Sequence, residues 1–424
     1  MNDNIATPFA KPLYVMLKPA GAHCNLDCKY CYYQEKNNLY NTSQRHLMTD
    51  EMLEQFTQEY IEAQTMNQVL FTWHGGEPLM RSIDFYKKAL ELQKKYAHGK
   101  QIDNVIQTNG TLLTDEWCAF FAQNHFLVGI SIDGPQEYHD HYRQTSAGKP
   151  SWEKVMHGIH LLKKHRVEWN AMAVVNAYNA EHPLEFYHFF RDNGCQYLQF
   201  TPIVERLTEH EDGRTLASLA DVSHEDNYED VGNAKKQKEN QEITIADFSV
   251  TPEQWGKFLC TIFDDWVRHD VGKIFVEIFD CTLANWVGVQ PGICAYSKEC
   301  GHAGVMEHNG DVFSCDHFVF PEYKLGNIQD KSLIDMLYGE KQQAFSRLKH
   351  TYLPRQCKEC DMEFACHGEC PKNRFENDKY GEPGLNYLCK GYYEYYTHVA
   401  PYMDFMKREL QAQRPPANIM NVLK

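Results

Sequence analysis

No stretch of this 424-residue chain approaches the length of an apolar membrane-spanning helix, and positive charge is scarce. Lys and Arg total 42 against 58 Asp and Glu, a formal charge of −16. A surplus of that sign repels phosphate backbones and anionic headgroups, so neither nucleic acid nor a membrane surface is expected as partner. The opening MNDNIATPFAKPLYVMLKPAG lacks a basic segment followed by an apolar one. No export leader is therefore expected, and the chain is expected to stay in the cytoplasm. Repeats of about 20–50 residues are also missing. Apolar material is not scarce: hydrophobic residues make up 43% and aromatics 13%, enough for a large core. The length suits two or three domains rather than one.

Cysteine is abundant, with 15 in the chain. Cytosolic thiols stay reduced, so ligation of a metal or cluster is a stronger expectation than a disulfide framework. Three thiols lie at the front, Cys24, Cys28 and Cys31. Eight crowd the back third: Cys294, Cys300, Cys315, Cys357, Cys360, Cys366, Cys370 and Cys389. Cys118, Cys195, Cys260 and Cys281 stand alone and read as small buried hydrophobes.

The first half alternates short apolar runs with amphipathic stretches, as repeated βα units do. Strands are expected at 13–17, 69–73, 104–107, 127–132, 169–175 and 197–200, and helices at 49–64, 83–96, 114–124, 151–165 and 183–192. Thr49, Thr114 and Ser151 precede acidic residues and periodic runs, as N-caps do. Six strands with intervening helices suggest a parallel sheet or partial barrel, whose site is built from loops at the C-terminal strand ends. Polar features fall there, at 22–31, 74–78, 108–110 and 131–135. Between residues 207 and 247 there are 11 acidic and 4 basic residues, which read as a solvated, partly disordered insertion. Helices are expected again at 252–270 and 394–413.

Cys24-Asn-Leu-Asp-Cys28-Lys-Tyr-Cys31 follows the first strand. Complete zinc and iron–sulfur sites normally take four protein ligands, so three leave one metal position open, as catalysis requires. This CxxxCxxC, with an aromatic before its last Cys, resembles the motif of the radical S-adenosylmethionine (SAM) enzymes. The resemblance implies a 4Fe–4S cluster on these thiols whose fourth iron chelates SAM, and a 5′-deoxyadenosyl radical that abstracts hydrogen. Gly75-Gly76-Glu77-Pro78 after strand two resembles the GGEP element that holds the methionine amino group. Two glycines allow close backbone approach, and the Glu77 carboxylate suits an ammonium. By the same resemblance Ser131 and Arg143 contact ribose or carboxylate oxygens of SAM, Tyr30 packs on adenine, and Val204 meets it through its backbone.

The rear spacing, Cys294-x5-Cys300-x14-Cys315 and Cys357-x2-Cys360-x5-Cys366-x3-Cys370-x18-Cys389, resembles the SPASM domain with two auxiliary 4Fe–4S clusters. The resemblance implies Cys294, Cys300, Cys315 and Cys370 on the nearer cluster, and Cys357, Cys360, Cys366 and Cys389 on the farther one. Spacing alone equally allows Cys357 through Cys370 as one local site. The implied fold is α/β: a partial (β/α)6 TIM-like barrel over 1–206, an acidic insertion at 207–250, a SPASM domain over 251–390 and a C-terminal helix and tail over 391–424.

Asp316 directly follows Cys315, and a carboxylate pinned beside a cluster can act as general base. A Cys-Asp pair there resembles the anaerobic sulfatase-maturating enzymes, as do Lys18-Pro-Ala20, 107–110, 131–135 and 325–328. That resemblance implies oxidation of a Cys or Ser in an unfolded sulfatase segment to Cα-formylglycine. Asp316 would take the thiol or hydroxyl proton, the electron would pass toward the nearer auxiliary cluster, and an unidentified low-potential donor would supply the front cluster. A monomer is expected. Two rivals are a thioether-forming peptide maturase of the same architecture and a non-catalytic zinc or iron–sulfur scaffold.

Overall fold

The computed structural model describes residues 12–39, 47–210, 213–216 and 243–423. The expected insertion at 207–250 and the opening of the chain therefore lie largely outside the described residues. No helix among those described is long and apolar enough to cross a membrane. The chain divides into two compact units, one of residues 1–131, 142–169 and 301–346, the other of 132–141, 170–300 and 347–424.

The first unit holds β1 (Tyr14–Lys18), α1 (Asp50–Ala63), β2 (Gln68–Trp73), α2 (Ile83–Tyr96), β3 (Gln101–Thr108), α3 (Asp115–Gln123) and β4 (Leu127–Ser131). The four strands pair in parallel, in the order 1-2-3-4. Alternate β1 side chains, Val15 and Leu17, are fully buried, which fixes its register. Thr49 and Thr114 accept from the amides of Met52 and Trp117 and start α1 and α3. Ser151 does not cap the helix at Trp152–His165 as expected; its hydroxyl donates to the Arg143 carbonyl at 2.8 Å. A buried aromatic stack (Phe56, Tyr60, Phe71, Trp73, Tyr86) fills the space between helices and sheet. Truncating one such ring to Ala costs about 3–5 kcal/mol.

Unexpected strands extend this sheet. Ala303–Glu307 pairs in parallel with β1, and Asp311–Phe313 and Lys324–Asn327 follow as antiparallel neighbours. The segment around Cys315 and Asp316 is thereby tied to the β1 edge within one unit.

In the second unit β5 (Trp169–Val175) and β6 (Tyr197–Pro202) pair in parallel, and Phe275–Val276 pairs with β6. All six expected strands exist. The described edges of the acidic segment, Arg206–His210, Gly213–Leu216 and Ile243–Ile245, form a small antiparallel sheet instead of the solvated coil expected there. Thr251 and Gln254 close a capping box on the helix Pro252–His269, which packs on the long helix Cys389–Gln411. Their crossing is so close that a Cβ on Gly391 would lie 2.1 Å from the Pro252 carbonyl oxygen. Of the isolated cysteines, Cys118, Cys195 and Cys281 are buried as expected, while Cys260 is only partly so.

Candidate active site

Parallel pairing places the exits of β1 to β4 at one end of the first unit. The β1 exit carries Cys24, Cys28 and Cys31, each part-buried. Burial pushes the Cys24 thiol up to about 12, helped by the negative charges of Glu77 and Cys31, so it stays protonated until a metal displaces the proton. The Leu26 amide and the Asn109 side-chain amide both donate to its sulfur, at 3.4 and 3.7 Å. Burial also raises Cys31, against the pull of Arg143 and Lys18.

The β2 exit locks onto this loop. Gly76 and Glu77 donate their amides to the carbonyls of Gly21 and His23, both at 2.8 Å, and a Cβ on Gly76 would lie 2.3 Å from the His23 oxygen. The glycines thus seat one loop on the other. The Glu77 carboxylate is fully enclosed and already engaged by Leu79 N, Thr108 Oγ1 and Asn109 N at 2.7–2.8 Å. Burial pushes it up to about 7 despite those donors. It clamps the ends of β2 and β3 together. Tyr30 packs 5.8 Å from the Tyr142 ring, with the Arg143 guanidinium 5.5 Å from its centroid. Ser131 Oγ accepts from Gln107 at 3.0 Å. Val204 belongs to the second unit, where its carbonyl accepts from Lys372 at 3.3 Å.

Asp316 sits in a charged nest made wholly by the first unit. Lys18 Nζ lies 2.5 Å from its Oδ1, and Tyr32 Oη donates to its Oδ2 at 2.6 Å. Burial alone would raise this carboxyl, but Lys18, His74 and His317 hold it well below the usual range. It is a carboxylate at neutral pH. His74 is driven down to about 4, first by burial and then by Lys18, and its Nδ1 accepts from the Gly75 amide, which leaves the ring proton on Nε2. Lys18 also lies 3.7 Å from the centroid of the Tyr33 ring, and Tyr33 donates to Glu307. Lys18, Tyr32 and His74 were not foreseen as site residues; the sequence signals were that Lys18 and His74 open segments already singled out.

In the second unit the rear thiols fall into two neighbourhoods. The Cys370 thiol, raised mainly by burial, is raised further by Cys294 and Cys300. Cys366 is raised by burial and then by Cys389 and Cys357, and Cys389 in turn by Cys357 and Cys360. Cys315 belongs to the first unit. The separation has a backbone cause. His367, Gly368 and Glu369 are all left-handed (φ 48°, 67° and 55°), so the thiols of Cys366 and Cys370 leave a tight reversed turn. Left-handed backbone costs about 1–2 kcal/mol for each non-glycine residue. Arg374 offsets that strain by donating to the carbonyls of all three, at 2.7–3.0 Å.

As the side chains stand, no three such ligands converge on one metal-sized point among the described residues. The donor chemistry nevertheless fits iron–sulfur clusters. Cys24, Cys28 and Cys31 share the β1 exit, the rear thiols of the second unit form two further groups, and fully buried Lys349 stands beside them with no carboxylate in ion-pair contact among the described residues. A tetrathiolate cluster would supply the missing anion.

The Radical SAM superfamily matches residues 19–190, and an iron–sulfur cluster-binding domain of the SPASM type matches 299–361. The whole chain is 66% identical to 98% of a serine-type anaerobic sulfatase-maturating enzyme of Bacteroides thetaiotaomicron. The chain belongs to the anaerobic sulfatase-maturating enzymes. A cysteine-type sulfatase-maturating enzyme of Clostridium perfringens is 30% identical over 92% of this chain and 97% of its own. Among solved structures, native anSMEcpe with bound AdoMet and Cp18Cys peptide superposes with a TM-score of 0.78 at 28% identity, covering 94% of this chain and all of that one. This sulfatase-maturating enzyme is accordingly a radical SAM enzyme of the barrel-plus-SPASM architecture, with a 4Fe–4S cluster and SAM as its cofactors.

Proposed function

We propose that this enzyme oxidises a serine in an unfolded sulfatase segment to Cα-formylglycine and so activates the sulfatase. The Asp316 carboxylate, held between Lys18 and Tyr32 next to Cys315, carries the reading of the chemistry. Full-length likeness to a serine-type relative supports the choice of target. Cys24, Cys28 and Cys31 would hold the catalytic cluster. Cys294, Cys300, Cys315 and Cys370 would hold one auxiliary cluster, and Cys357, Cys360, Cys366 and Cys389 the other, three in all. The two thiol neighbourhoods of the second unit support this crossed assignment over a single local site at Cys357 through Cys370. Bound cluster and SAM supply a radical that removes one hydrogen atom from the target Cβ, and auxiliary clusters accept one electron.

The protein's own contribution is proton handling and placement. Asp316 takes the target hydroxyl proton at its carboxylate oxygen, which is ionised at neutral pH and needs no prior activation. A hydroxyl on a radical-bearing carbon is more acidic than an ordinary alcohol, so a weak base suffices. Lys18 and Tyr32 fix the carboxylate plane, and Arg143 with Tyr30 would orient SAM. We assign the radical chemistry to 1–206 and auxiliary ligation to 251–390, linked by 207–250 and closed by 391–424. The enzyme would act as a cytoplasmic monomer served by a low-potential electron donor.

Anaerobic reconstitution with SAM, a reductant and a peptide carrying SxPxR, alongside its CxPxR counterpart, tests this. We expect 5′-deoxyadenosine together with loss of two hydrogens from the serine peptide. Absence of both products from both peptides would overturn the reading; turnover of the cysteine peptide alone would overturn the target.

A further inference from the structure

Two cations lie among the rear cysteines. Lys349, fully enclosed, donates its ammonium hydrogens to the carbonyls of Cys294, Ala295 and Ser297. Arg374, part-buried, donates to Gly368, His367 and Glu369 and, at 2.5 Å, to the carbonyl of Lys349. Among the described residues neither forms an ion pair with a carboxylate; the nearby Glu369 is occupied by Asn386 at 2.9 Å. Carbonyl dipoles and one carboxyl, Glu369, which burial itself pushes toward its neutral form, compensate two cations there only in part, and incomplete compensation of a buried charge is strongly unfavourable. The two cations rank the sulfurs differently, although Cys300 and Cys370 feel both. Lys349 stands with Cys300, Cys370 and Cys294, whereas Arg374 stands first with Cys357 and Cys366.

Resting on the cluster assignment proposed above, we propose that Lys349 and Arg374 are dedicated counter-cations of the two auxiliary clusters and separately set their reduction potentials. A 4Fe–4S core in its 2+ state with four thiolates carries a net charge of −2, and one electron takes it to −3. A fixed cation attracts the reduced form more strongly, so it raises the midpoint potential. Lys349 therefore favours electron uptake at the cluster of Cys294, Cys300 and Cys370. Arg374 does so at the cluster of Cys357, Cys360, Cys366 and Cys389. These are positioning residues acting through charge; neither touches the reacting atoms. The pair gives the chain a way to grade two chemically similar clusters against each other, so that an electron leaving the substrate has a preferred direction.

The test uses the full-length protein with Cys24, Cys28 and Cys31 all changed to Ala, reconstituted anaerobically, so that only auxiliary clusters titrate. Electron paramagnetic resonance at controlled potential, with iron analysis, compares the parent with Lys349→Met, Lys349→Arg, Arg374→Gln and Arg374→Lys. We expect two one-electron steps in the parent. Lys349→Met should lower one step and Arg374→Gln the other, each by at least a tenfold change in the reduced-to-oxidised ratio, about 59 mV. The charge-keeping variants should stay near the parent. A neutral variant that loses one cluster's iron while its charge-keeping counterpart retains it also supports the proposal. Retained iron with unmoved steps, both neutral variants moving the same step, or iron lost equally in both variants of a pair would overturn it. Absence of auxiliary iron from the parent would instead sink the cluster assignment, so the two failures are distinguishable.

Discussion

Beside Cys31 stand the cations Arg143 and Lys18, and Lys18 is already bound to the Asp316 carboxylate. Around the rear cysteines Lys349 and Arg374 hold only carbonyl oxygens. Both regions place thiols where water is scarce, yet they supply opposite kinds of environment. The front has three thiols, an ionised acid, a neutral imidazole and phenols that can donate, all groups able to exchange protons with a substrate. At the rear stand seven thiols of the second unit with two cations and one buried acid, Glu369. Proton chemistry belongs to the first region and charge storage to the second, and the polar residues differ accordingly.

That contrast can be broken most severely at the front trio. Changing Cys24, Cys28 and Cys31 to Ala should abolish 5′-deoxyadenosine formation and remove about four of about twelve irons per chain. Chromatography of the nucleoside and iron analysis decide it. Next comes Asp316→Asn. Formylglycine yield should fall about 10²–10⁴-fold, the span typical of a lost general base, while SAM cleavage changes little. Peptide mass spectrometry run beside nucleoside quantification separates the two.

Lys18→Met strips a buried carboxylate of its counter-ion. Breaking such a pair costs about 3–5 kcal/mol, read as a lower urea midpoint. Lys18→Arg should recover much of that loss and of the turnover. The mildest expected effect concerns Glu77, whose carboxyl in the folded chain sits near 7 against an ordinary 4.5. The folded state then holds the extra proton between those values. Its contribution to stability is complete below about 4.5 and is lost as pH rises through about 7. At about 1.4 kcal/mol per unit the window spans about 3 kcal/mol, and Glu77→Gln should flatten it in urea titrations of the cluster-free protein.

Much of the scaffold could be read beforehand. The six parallel strands are short apolar runs whose alternation or continuity survives without tertiary help, and the helices Ile83–Tyr96 and Pro252–His269 carry their own caps or periodicity. The strands at 303–327 escaped notice because they are three to five residues long and the first of them partners β1 from about 290 positions away. The same distance hid the Lys18–Asp316 pair, since neither residue announces a partner in its own neighbourhood. At Glu77 part of the setting went unseen for another reason. A GGEP turn signals close approach, and only the fold shows that what approaches is the triad loop itself. The grouping of rear thiols was likewise ambiguous, because spacing cannot reveal that the three residues between Cys366 and Cys370 wind left-handed.

The contact of Gly391 with Pro252 lies two residues from Cys389, at the start of a helix that runs on to Gln411. The helix is thus pinned at its sulfur-bearing tip and extends about 1.5 Å per residue beyond it. The helix stays packed beyond that tip, with Val399, Met403 and Met406 fully buried, so a tether anchored past Gln411, to a resin or an electrode, would load the core before it reached Cys389. A single methyl at Gly391 would act on the tip itself, pressing on the Pro252 carbonyl and tilting Cys389.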